Sequence, residues 1–120
     1  MAQLYNMKAG VADANDVVPV TVAASADGAL TIQNSTVVVT KAGVCAMTLA
    51  APSTAQNGTR ITIVSATANA HTLTVATIGL NDLAGSGDLG TFGGAKGDGL
   101  TVVAYNGDWF VTSNINVTIT

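Results

Sequence analysis

One histidine, one cysteine and seven aspartates are the residues of this 120-residue chain best suited to acid–base, nucleophilic or metal chemistry. His71 opens the run H-T-L-T-V, with no second histidine, no glutamate and no acidic cluster near it in sequence. A general base or a metal ligand needs such partners, so His71 reads as a structural or solvent-exposed side chain. Cys45 lies in the apolar run V-C-A-M, where a thiol packs as a small hydrophobe. A nucleophilic Cys45–His71 pair stays open in three dimensions, but nothing in the sequence favours it. Asp82, Asp88 and Asp98 share one glycine-rich segment. Their spacing fits neither an EF-hand nor a β-roll repeat, which makes them turn residues rather than calcium ligands. Residues 85–90, G-S-G-D-L-G, match G-x-G-x-x-G formally. That motif holds a pyrophosphate only between a strand and a helix, and no helical period follows here.

Trp109, Tyr105 and Phe110 offer the rings of an aromatic platform for sugar. Core packing is the favoured reading, because of the hairpin that must position them. Residues 99–113 read G-L-T-V-V-A-Y-N-G-D-W-F-V-T-S, two β-rich runs around Asn106-Gly107. Asn-Gly accepts the positive φ of a type I′ turn, the strongest short-range hairpin signal. With Asn106 and Gly107 at the tip, Tyr105 faces Asp108, Ala104 faces Trp109, Val103 faces Phe110 and Val102 faces Val111. Alternation then places Leu100, Val102, Ala104, Trp109 and Val111 on one face. The other face carries Thr101, Val103, Tyr105, Phe110 and Thr112. Both faces are apolar enough to need cover, which points to a sandwich, a barrel or a subunit contact.

Elsewhere from residue 17 onward the pattern is β as well. Short strands are expected over residues 17–23, 29–33, 36–40, 44–51, 59–65 and 71–77, separated by Asp27-Gly28, Asn34-Ser35, Lys41-Ala42-Gly43 and other turn chemistry. Pro19 marks the first as an edge strand. Residues 78–99, with eight glycines from Gly79 to Gly99, read as one long irregular segment anchored by Phe92. The expectation is an all-β, single-domain antiparallel sandwich or barrel-like fold over residues 17–120, carrying a long Gly-rich loop. Residues 1–16 read as a first strand or as an N-terminal arm that docks on a neighbouring subunit, with Leu4, Tyr5 and Met7 as its apolar cluster.

Charged residues make up only 9% of the chain, against about 25% in ordinary soluble domains. A lone domain of this size exposes about 6,000 Å², leaving roughly one charge per 500 Å². Such a surface is either clothed in Thr, Asn, Ser and Gly or buried against other chains. The net charge of −3 argues against nucleic acid, which demands a basic footprint. No apolar run is long enough to span a membrane, and residues 1–10 hold no signal-peptide h-region. A single cysteine excludes an internal disulfide, which fits assembly in a reducing cytoplasm. The sequons at Asn34, Asn57 and Asn116 read as chance matches in a Thr-rich chain.

Five runs carry a family resemblance: L-A-A-P at 49–52, G-T-R-I-T-I-V-S at 58–65, A-H-T-L-T-V at 70–75, T-F-G-G at 91–94, and G-D-G-L-T-V-V-A-Y-N-G-D-W-F-V at 97–111. Together they resemble small β-rich virion proteins of tailed bacteriophages: head decoration (cement) proteins, head fibres and tail-fibre β-modules. The resemblance implies a structural protein, not an enzyme, without cofactor or metal. It would be made in the bacterial host cytoplasm, assemble as a homotrimer and bind the major capsid protein on the head surface. The absence of long collar, coiled-coil or triple-β-spiral repeats favours the capsid over a fibre. A tail-fibre or receptor- and glycan-binding module is the alternative. Expected capsid or subunit contacts are Leu4, Tyr5, Met7 and Lys8 with Phe92. The hairpin core is Val102, Trp109 and Val111, turned by Asn106 and Gly107.

Overall fold

At residues 106–107 the backbone takes φ of 53° and 86°, the left-handed pair that a type I′ turn requires. The two strands it joins are β8 (Gly99–Tyr105) and β9 (Asp108–Ile115) of a computed structural model that describes residues 19–120. Tyr105 pairs with Asp108, Ala104 with Trp109, Val103 with Phe110 and Val102 with Val111, the register expected from the turn. Past that point a bulge lets Ser113 rather than Thr112 face Thr101. The displaced Thr112 hydroxyl donates to the Thr101 carbonyl at 3.3 Å and accepts from Arg60 Nη1 at 3.2 Å.

The chain is all-β, a sandwich of two five-stranded sheets. In order these strands are β1 (Val20–Ala24), β2 (Gly28–Ala29), β3 (Ser35–Val39), β4 (Ala46–Thr48), β5 (Arg60–Ser65), β6 (Thr72–Thr74), β7 (Leu89–Phe92), β8, β9 and β10 (Val117–Ile119). The first sheet runs β1-β3-β5-β8-β9 and the second β10-β7-β6-β4-β2. Antiparallel pairing throughout was the expectation, and half of the molecule departs from it. β1, β3 and β5 pair in parallel, as do β2, β4 and β6. The reason is the path of the chain. Each turn after β1 to β5 carries it across to the opposite sheet instead of back along the same one. A strand therefore meets its neighbour one full coil later, running in the same direction. Three such coils stack before β7, β8, β9 and β10 close the sandwich with antiparallel pairs.

Period two decides what lies between the sheets. Ser35, Val37 and Val39 of β3, Ile61, Ile63 and Ser65 of β5, and Leu100, Val102 and Ala104 of β8 point inward and are buried. They meet Met47, Leu73, Phe92 and Val117 from the second sheet, with Trp109 fully enclosed. Residues 78–99 are less irregular than expected. They contain β7, and Leu80 bridges in parallel to Trp109. Turn chemistry hid this strand, since Gly90 carries no side chain to show the alternation.

Gly99 sits where β8 lies closest to β5, and a Cβ there would collide with the Ile63 carbonyl oxygen. Backbone rather than a flexible side chain must move. Gly99→Ala is therefore expected to destabilise by about 2–3 kcal/mol, checked by urea unfolding followed by far-UV circular dichroism.

Candidate functional site

His71 and Cys45 come together, but not as a catalytic pair. His71 follows the turn at residues 66–69 and is fully buried, its ring edge-on to Phe92 with centroids 6.0 Å apart. Its Nδ1 accepts the backbone N–H of Cys45 at 3.0 Å. Its Nε2 lies 3.0 Å from Thr67 Oγ1, whose own hydrogen goes to the Lys41 carbonyl at 2.9 Å. This network fixes the neutral imidazole with the proton on Nε2. Neither nitrogen is left to take a proton from a substrate. The Cys45 thiol donates instead to the Ala26 carbonyl at 3.4 Å. Burial pushes its pKa up, the nearby Asp27 charge adds to the rise, and Lys41 opposes it. The pair is a clamp that ties the start of β6 to the approach to β4. Ellman's reagent should leave Cys45 unmodified in the folded protein at pH 8 and titrate about one thiol after urea unfolding. Rapid labelling without denaturant would contradict this.

Two of the three aspartates of the glycine-rich segment are spent on turns. Asp88 accepts the Gly85 N–H at 2.9 Å. Buried Asp98 accepts the Ala95 N–H at 2.9 Å and the Asn116 side-chain amide at 3.2 Å. No group of three potential metal ligands forms among the described residues. Gly85 and Gly87 lie in turns and Gly90 lies in β7, so the G-x-G-x-x-G match has no helix to complete it.

One expected partner contact, Phe92, is relocated by burial, and Trp109 takes the core position expected of it. Phe92 is 1% exposed and packs against His71, so its ring anchors the segment to the core and presents no surface to a partner. Trp109 is likewise enclosed, with Nε1 donating to the Ala50 carbonyl at 2.8 Å. An aromatic platform therefore keeps only Tyr105 and Phe110. Leu4, Tyr5, Met7 and Lys8 fall outside the described residues.

One exposed surface is the outer face of the first sheet, which sequence reasoning did not assemble because it joins strands from five places in the chain. Register aligns Thr21, Thr36, Thr62, Thr101 and Ser113 in one hydroxyl row across all five strands. Thr62 and Thr101 touch through their hydroxyls at 3.1 Å. Beside it runs an apolar row of Ala23, Val38, Val64, Gly99 and Ile115. On the other flank Arg60, Val103 and Phe110 line up, followed by Tyr105 with Asp108. Tyr105 and Ile115 are 61% and 59% exposed.

The chain matches no protein-family model and no curated protein. One cation and one anion stand on that outer face, otherwise made of hydroxyls and aliphatic or aromatic groups. Such a surface can hold another protein by packing and hydroxyl hydrogen bonds. Five strands about 4.8 Å apart and five residues deep give a patch of roughly 20 × 17 Å. That is about half of the 800 Å² per partner of a standard interface, so a single contact through it is weak.

Proposed function

We propose that this chain is a structural virion protein, a decoration subunit that binds the outside of a tailed-phage head and stabilises it. The outer face of the first sheet carries the reading. It is nearly uncharged and too small for tight one-to-one binding, which suits a subunit whose site is repeated across a shell. Repetition converts weak contacts into stable occupancy through avidity. The spent histidine and cysteine fit a protein that builds rather than catalyses, and the sequence resemblance to phage virion proteins supports the same place. In this reading the subunit is a homotrimer, its partner is the major capsid protein, and its location is the capsid surface.

A tail-fibre or glycan-binding role is the second reading, favoured by one observation. Tyr105 stands exposed at the hairpin end directly opposite Asp108. A ring beside a carboxylate is a common way to hold a sugar face and its hydroxyls.

Co-sedimentation with undecorated heads separates the two. Decoration predicts saturable uptake that Val103→Asp lowers at least tenfold and Tyr105→Ala changes little. Uptake unaffected by Val103→Asp would remove this face from the contact. Saturable binding to host polysaccharide that Tyr105→Ala abolishes would favour the second reading.

A further inference from the structure

The three parallel coils are open at one end. β1 and β2 belong to the first coil, and each is the outermost strand of its sheet at that end. Val20 N–H donates to the Asn34 carbonyl and the Ala24 carbonyl accepts Thr40 N–H, so alternate residues of β1 face β3. Thr21 and Ala23 consequently aim their N–H and C=O groups outward, with no partner among the described residues. Between the two edges lies a mouth of about 160 Å³ with mixed walls, Val22, Leu30, Val37 and Met47 beside Thr31 and Gln33. Ser35 also lines it, 2% exposed, and its hydroxyl has no hydrogen-bond partner among the described residues. Native interiors rarely leave such a group unpaired, so the described residues alone do not finish the packing of this end.

The opposite edge of the first sheet is treated differently. Asn81 donates its N–H to the Trp109 carbonyl at 2.8 Å and accepts Val111 N–H on its side chain at 2.8 Å, covering part of β9. Among the described residues β1 has no such cover. Its sequence, Val-Thr-Val-Ala-Ala, also lacks the lysine, interior proline or inward charge that usually guards an edge.

We infer that this open end is a self-association surface, closed by the same end of a second copy of the chain across a two-fold axis. The geometry is self-complementary. An antiparallel pairing of β1 with its copy, centred on Val22, places Thr21 opposite the copy's Ala23. Their outward N–H and C=O groups then satisfy one another. Charge permits the approach. Asp27 is the one charged residue lining the mouth, and Lys41 already neutralises it at 2.7 Å. Among the described residues the mouth therefore presents no net charge to a second copy. The contact requires only a second copy of the chain and holds whether or not the subunit decorates a phage head.

Sedimentation velocity of the full chain across a hundredfold concentration range tests this. Pairing predicts a concentration-dependent species with an even number of protomers: two, or six if the trimer proposed above also forms. Ala23→Pro removes an outward-facing N–H while leaving the bonds to β3 in place, and should halve that number. Val22→Asp and Val22→Lys should each do the same through like charges meeting at the axis. An equimolar mixture of the two should restore the even species, an outcome a misfolded variant cannot produce. A wild-type chain of one or three protomers at the highest concentration overturns the inference. So does an even species untouched by Ala23→Pro, or failure of the folded Val22 variants to recombine. Loss of head binding with the even species intact would count against the decoration reading alone.

Discussion

Trp109→Ala is expected to lower the unfolding free energy by about 3–5 kcal/mol, one of the largest effects of any single truncation in this chain. Trp109 is the largest fully buried side chain among the described residues, so its truncation vacates the most volume. The indole also tethers two distant pieces, its Nε1 holding the Ala50 carbonyl and its backbone meeting Leu80 and Asn81. Trp109→Phe keeps most of the packing and gives up the hydrogen bond, so about 1 kcal/mol is expected for it. Urea titration read by circular dichroism separates the two variants. A loss below about 1 kcal/mol for Trp109→Ala would mean that the ring is not part of the core.

His71→Ala is expected to cost about 2–4 kcal/mol. Two losses combine. A cavity opens against Phe92, and the Cys45 N–H loses its buried acceptor. Thr67 loses its donor as well, loosening the turn that it pins to Lys41. The same substitution discriminates between roles for the histidine. A structural clamp predicts that head binding per folded molecule is unchanged while the unfolding midpoint falls. A fold of unchanged stability with lost function would instead make His71 part of a working site.

The hairpin was legible in the sequence because a local rule decides it. Asn106-Gly107 selects the turn, the turn selects the register, and the register fixes which of Trp109 and Phe110 is buried. The bulge at Thr112 was not legible, since no glycine or proline marks it. Parallel pairing of β1, β3 and β5 escaped for a different reason. Alternation shows that Val37 and Ile63 share a buried face, but says nothing about the direction in which their strands pass. That direction is set by whether each turn returns along its own sheet or crosses to the other, which short polar turns do not encode. β7 was missed because Leu89-Gly90-Thr91-Phe92 hides one alternate position behind a glycine.

The candidate site was legible only in its chemistry. Isolated His71 and Cys45 without acidic partners pointed to structural roles, and in the fold both are buried and hydrogen-bonded. Their direct backbone contact could not be read from 26 residues of separation, because it depends on one coil stacking on the next. Likewise the row of Thr21, Thr36, Thr62, Thr101 and Ser113 exists only after five strands are put in register. In the linear chain these are scattered hydroxyls.

The most direct test of the decoration role is the heat resistance of undecorated phage heads titrated with the purified chain. The account predicts saturable binding at a fixed number of copies per head and a rise in the temperature at which the shells rupture. Heads that bind no chain at any concentration, and rupture at the same temperature with or without it, would contradict the account.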